Sequence, residues 1–149
     1  MASGNDHDIA QLNSLIEATL DSAKGYQDAA DVAKASRFSK LFLQRAAQRH
    51  EIAVRLQARV KAHGGDPEKT GSALGAAKRW FDSLKQKMTG DDASIIAAVE
   101  AGEDHIKEVY QEVMTDEELS DPVRTAVESE FVQIEVNHDE MRNLKHATS

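Results

Sequence analysis

Four long stretches of this chain return an apolar residue every three or four positions, a period that allows little except amphipathic helices packed face to face. The first covers about 6–34, through Ile9, Leu12, Ile16, Ala23, Tyr26 and Ala30, with Asn5 and Asp8 as its expected caps. The second, about 37–63, carries Phe38, Leu41, Phe42, Ile52, Leu56 and Val60 and stops at Gly64-Gly65-Asp66-Pro67. The third, about 92–114, follows Asp91 as a cap and presents Ile95, Ile96, Val99, Ile106, Tyr110 and Val113. The fourth, about 122–146, opens with Pro122 in its first turn and lines up Val127, Phe131, Ile134 and Met141.

The connections differ sharply in length. Short turns join the first to the second and the third to the fourth, but 28 residues, Gly64 to Asp91, separate the second from the third. That connector holds a shorter amphipathic helix over about 72–88, with Ser72 as cap, Leu74, Ala77, Phe81, Leu84 and Met88 on one side and Gly90 at its end. Seventeen helical residues span about 25 Å, so with its flanks the connector can travel the length of a bundle and lay the second and third helices parallel. Two short turns and one long crossover are the connectivity of a ferritin-like four-helix bundle. The expectation is one all-α domain over 1–149.

Composition narrows the function by exclusion. A chain of 149 residues without cysteine has no disulfide, thiolate zinc site or thiol nucleophile. A formal charge of −8 leaves no broad basic face for nucleic acid. The N-terminal residues lack a basic-then-apolar leader and no segment is apolar enough to span a bilayer, so a cytoplasmic protein is expected. Trp80, Phe81, Leu84 and Met88 opposite Lys78, Arg79 and Lys85 have the pattern of an interfacial membrane helix. Packing against the bundle is the favoured use of that face, because a crossover must bury it somewhere.

The motif that raises a chemical question is Glu135-Val136-Asn137-His138. A carboxylate-bridged di-iron bundle takes one Glu from each of two helices and a Glu-x-x-His from each of the other two. With helical residues about 100° apart, His138 falls in the row of Phe131, Ile134 and Met141, and Glu135 at its edge. Glu103 lies between Val99 and Ile106 and faces inward on the third helix. These three, Glu103, Glu135 and His138, are the candidate metal ligands. The first helix offers only Glu17, far from its apolar row. On the second helix the inward row reads Phe38, Phe42, Arg45, Arg49, Ile52, Leu56, and Ala46 with Arg49 stand where a second Glu-x-x-His belongs. Arg49 facing Glu103 can supply the positive charge that a metal would otherwise bring.

Each of these residues also has a plain structural use. A Glu-x-x-His arises by chance roughly half a time in a chain of this composition. His138 therefore reads equally as a polar core histidine, Glu103 as an ion-pair partner of Arg49, and Tyr26 and Tyr110 as core rings with hydrogen-bonded tips or as neighbours of a metal.

The connector carries a resemblance. Gly64-Gly65-Asp66-Pro67-Glu68, Gly71-Ser72, Arg79-Trp80, Leu84-Lys85, Gly90-Asp91-Asp92 and Glu100-Ala101-Gly102-Glu103-Asp104, with Leu12 to Glu17 and Gly25-Tyr26 near the start, resemble the bacterial ferritin-like family known as domain of unknown function 2383. The YciE/YciF stress-associated proteins are more distant relatives. The resemblance implies a four-helix fold and a superfamily in which metal-dependent oxidases, peroxidases and iron-storage proteins occur. Glu103, Glu135 and His138 match superfamily ligand positions, whereas Ala46 and Arg49 depart from them. The expected function is thus a stress-associated binding or scaffolding protein with an incomplete di-iron site, dimeric through an exposed helix face, with the enzyme question left open and leaning against catalysis. The alternative is an iron-binding protein with oxidase, peroxidase or iron-handling activity.

Overall fold

The computed structural model describes residues 2–33, 36–71 and 76–148, and the side chains of 5–33, 36–71 and 82–147. Five helices follow one another: α1 (Ala2–Val32), α2 (Ser39–Ala62), α3 (Ala76–Lys87), α4 (Asp92–Met114) and α5 (Asp121–Thr148). No strand occurs among the described residues.

Contacts between helix ends give the topology. Asn5 donates to the His63 carbonyl at 2.8 Å, so the start of α1 meets the end of α2. Ser36 donates to Asp92 at 2.7 Å and His7 sits 2.5 Å from Asp116, which sets α4 antiparallel to α1. Arg45 pairs with Glu140 and Arg55 with Glu130, so α5 runs against α2. The order is up, down, down, up, and the parallel α2 and α4 require the long crossover that the connector length predicts.

Two boundaries differ from the periodic reading. Helix α1 begins at Ala2, ahead of both expected caps. Their side chains are used in tertiary contacts instead: Asn5 holds the end of α2, and Asp8 accepts from the Ser120 amide at 3.0 Å in the turn before α5. Helix α3 is described over 12 residues, about 18 Å, and ends one residue before the expected Met88. The expected cap Ser72, Leu74, the first helix's end at Lys34 and the side chains of Trp80 and Phe81 lie outside what is described. The cap at Asp91 is as expected, accepting from the Ser94 amide at 2.7 Å, and that bond holds its carboxylate below the ordinary range. Gly64 adopts φ +81°, the left-handed geometry that ends a helix at low steric cost, while the Gly65 amide returns to the Val60 carbonyl at 2.9 Å.

The crossover is pinned along its path. Asn13 on α1 donates to the Asp66 carbonyl and accepts from the Glu68 amide, and Gln57 on α2 donates to the Glu68 carbonyl. A side chain at Gly71 would overlap the Asp21 carboxylate, so glycine permits the close approach. Beyond it, α3 packs on α1 and α4 through Leu84, which is buried, and Met88.

The core is divided. One apolar cluster gathers Leu12, Leu15, Ile16, Ile52, Leu56 and Ile106 with residues of α5 near one end of the bundle. The other, near the opposite end, combines Phe38, Phe42, Ile95 and Ile96 with small alanines of α1. Between them lies a layer of buried polar side chains: Thr19, Ser22, Arg49, Glu103, Asn137 and His138.

Candidate functional site at the polar layer

Arg49 is at the centre of that layer, with 0% of its surface exposed. Its Nη2 donates to Glu103 at 2.7 Å and to Asn137 at 3.2 Å, and its Nη1 donates to Ser22 at 2.7 Å. One guanidinium thereby touches each of the other three long helices. It also lies 5.4 Å over the Tyr26 ring, within cation–π range. Burial is the largest single influence on Arg49 and pulls its pKa down, but the charge and hydrogen bond of Glu103 together with Tyr26 and Tyr110 outweigh it and the net shift is upward. A planar fork of donors suits this position because it serves several acceptors at once.

The surrounding groups extend the layer. Thr19 and Tyr110 share a hydrogen bond of 2.7 Å, and burial pushes the Tyr110 phenol well above its usual range. Tyr26 is also raised well above its usual range, by burial first and then by nearby Glu103. Its hydroxyl nevertheless completes no hydrogen bond. Arg45, one turn before Arg49, turns outward to Glu140.

The sequence-predicted residues separate in space. Glu103 is held by Arg49. His138 is buried, but its Nε2 meets Asp104 at 2.5 Å and its Nδ1 faces Asp139 at 3.4 Å. Glu135 is exposed. The buried face of α5 is centred between Ile134, Asn137 and Met141, about 125° from Glu135 by helical phase. The Glu-x-x-His motif thus sends one residue inward and one outward, and its inward partner is Asn137, read from sequence as a spacer. Glu17 is partly buried on α1, with its carboxyl raised by burial and by Glu68 and Asp21 nearby, and His50 is exposed.

A carboxylate-bridged di-iron centre does not fit this layer. A permanently charged guanidinium occupies its middle, α1 contributes Thr19 and Ser22 where a carboxylate is required, and Glu135 is in solvent. A smaller donor set lies beside it: oxygen or nitrogen atoms of Glu100, Asp104 and His138 fall within 4.8 Å of one another. Glu100 and His138 are buried, Asp104 is exposed, and Lys145 stands 3.5 Å from Glu100. Sequence reasoning set Glu100 aside in favour of Glu103, because it lies about 100° from the apolar centre of α4, and missed Asp104, which is on the same flank. Their i, i+4 spacing, with a histidine available on the neighbouring helix, was the signal present.

A second group of the same kind, His7, Asp116 and Glu118, clasps the end of the bundle. Asp116 accepts from Gln11, from the Glu118 amide and from His7, which together depress its pKa to about 2. His7 is raised in return, chiefly by its bond to Asp116.

The fold and this layer define a crossover four-helix bundle whose core centres on an ion pair. The chain belongs to the domain of unknown function 2383 family, whose sequence profile matches residues 7–116. That span covers α1 to the turn after α4; Asn137 and His138, on α5, lie beyond it. No curated protein matches the chain.

Proposed function

We propose that this is a ferritin-like bundle that works by binding or scaffolding, in a stress-associated role, and not by activating oxygen at a di-iron centre. The observation that carries the reading is the Arg49 guanidinium at the centre of the four helices, paired with Glu103. Two divalent cations beside a permanent positive charge repel it, and neither α1 nor α2 gives the Arg49 layer a carboxylate to offset them: Thr19 and Ser22 stand there on α1 and Arg49 on α2. Elemental analysis of the purified protein and titration with ferrous iron test this. Less than two metals per chain is expected, with Arg49→Glu gaining affinity. Near two per chain, lost in His138→Ala, overturns it.

A second reading is favoured by the compact set of Glu100, Asp104 and His138. One imidazole and two carboxylates suit a single divalent transition metal, and would support an iron-handling or peroxidase role. Under this reading manganese or zinc binds at about one per chain, and Asp104→Asn and His138→Ala each remove it. Absence of binding by calorimetry with the native chain leaves these residues as a charge cluster tied by Lys145.

A further inference from the structure

The start of α1 meets the turn from α4 to α5 at one end of the bundle, and His7 is held there between two carboxylates. Its Nε2 lies 2.5 Å from Asp116, which is itself fixed by Gln11 at 2.5 Å and by the Glu118 amide at 2.9 Å. The other ring nitrogen, Nδ1, faces the Glu118 carboxylate across 3.8 Å, too far for a hydrogen bond. The group is open to ions from solvent: the side chains of His7, Asp116 and Glu118 are 32%, 18% and 80% exposed.

Geometry and charge both point to a cation in that gap. A tetrahedral zinc ion with bonds of about 2.0–2.2 Å holds neighbouring ligand atoms about 3.4 Å apart, so the exposed Glu118 side chain has about 0.4 Å to close. A ligating histidine is usually oriented by a carboxylate that accepts from its other ring nitrogen. Asp116 is already in that place on the Nε2 side, with donors on both of its oxygens. As to charge, Asp116 and Glu118 share one ion-pair partner, the His7 imidazole, so even a protonated His7 leaves the group negative. A divalent cation beside a neutral His7 brings the sum to zero. Asp8, buried and bonded to the Ser120 amide, adds a further negative charge at this end. Arg124, on the same side of the turn, donates instead to the Met114 and Asp116 carbonyls and to Asp121.

We propose that His7 Nδ1 and the Glu118 carboxylate bind a divalent transition metal of the zinc class, with Asp116 as the positioning residue behind the imidazole and water completing the coordination. A nitrogen and a carboxylate oxygen favour zinc over magnesium, which takes oxygen ligands and keeps its waters. The two ligands come from α1 and from the α4–α5 turn and meet only in the folded chain, so the bound metal staples these segments together and stabilises the fold. The site goes beyond the proposed function: it uses neither Arg49 nor any of Glu100, Asp104 and His138.

The test is thermal unfolding of the full chain, stripped of metal by a chelator and returned to neutral buffer, with zinc and with magnesium. For a dissociation constant on the order of 0.1 mM, zinc at about 1 mM should raise the melting temperature by about 3–6 °C, and magnesium should leave it unchanged. His7→Ala should abolish the rise. Glu118→Gln, at an exposed position where the fold is not at stake, should abolish it as well. Asp116→Asn should weaken zinc binding about 10- to 100-fold. Imidazole nitrogen–proton correlation spectra should place zinc on Nδ1 of His7 with Nε2 still protonated, a signature that a purely structural clasp would not give. No rise, an equal rise with magnesium, a rise that survives His7→Ala and Glu118→Gln, or zinc on another histidine would each overturn the site. His138→Ala and Asp104→Asn should leave the rise intact. A rise lost in those variants would assign the metal to their group instead, and neither result touches the reading of Arg49.

Discussion

Removing one half of the Arg49–Glu103 pair leaves a buried charge without its counter-ion. Glu103→Ala should therefore destabilise the chain by about 3–5 kcal/mol in urea unfolding, while Arg49→Met combined with Glu103→Leu should recover most of that loss. A double variant as unstable as the single one would show that Ser22 and Asn137, and not the charge, fix the layer. At the bundle end, the His7–Asp116 clasp makes stability depend on pH. His7 has a folded pKa raised above 6.5, so its contribution is full below about pH 6.5 and is lost as pH rises through the folded value. Asp116 is depressed from 3.8 to about 2, so its contribution is present above 3.8 and is lost as pH falls through about 2. The difference in melting temperature between the native chain and His7→Asn should accordingly shrink from pH 6 to pH 9. Helical phase was enough to turn Arg49 and Glu103 inward, because strong apolar rows flank both. It failed at Glu135, where Phe131 suggested a centre for α5 that the deeper Ile134, Asn137 and Met141 displace. Which residue meets His138 across the helix gap depends on the rotation of α4 against α5, and periodicity within one helix carries no such information.

Among the elements, the crossover carries the most positional constraint. Gly71→Ala forces the new methyl against Asp21 and should cost about 1–3 kcal/mol. Gly102→Ala goes the other way: the helix gains the better helix former and the methyl finds ordinary contact with Leu84, so a gain of about 0.5–1 kcal/mol is expected. Thermal unfolding of the two variants beside the native chain checks both signs. The four long helices, the Asp91 cap and the glycine stop at Gly64 were legible because each is a local signal. The start of α1 was not, since Asn5 and Asp8 have the chemistry of caps and are recruited by His63 and Ser120 from distant parts of the chain.

For the whole molecule, parallel α2 and α4 mean that the chain must return about 35 Å before α4 can begin. Replacing residues 66–90 by a four-residue Gly/Ser turn should abolish the cooperative monomeric bundle, giving either loss of the melting transition or an exchange-paired species on size-exclusion chromatography. A stable monomer from that variant would mean that α4 can reverse its direction. Connector length alone implied this crossover, which is why the topology could be read before any contact was known. No helix among the described residues is long and apolar enough to cross a membrane. The polar layer that splits the core also governs assembly as a whole. Sliding any long helix by one turn, about 5.4 Å, would carry its member of the layer into one of the two apolar clusters and leave Arg49 or Glu103 facing hydrocarbon. The layer is thus a vernier: it distinguishes one axial register from all its near neighbours more sharply than two apolar ends alone could do.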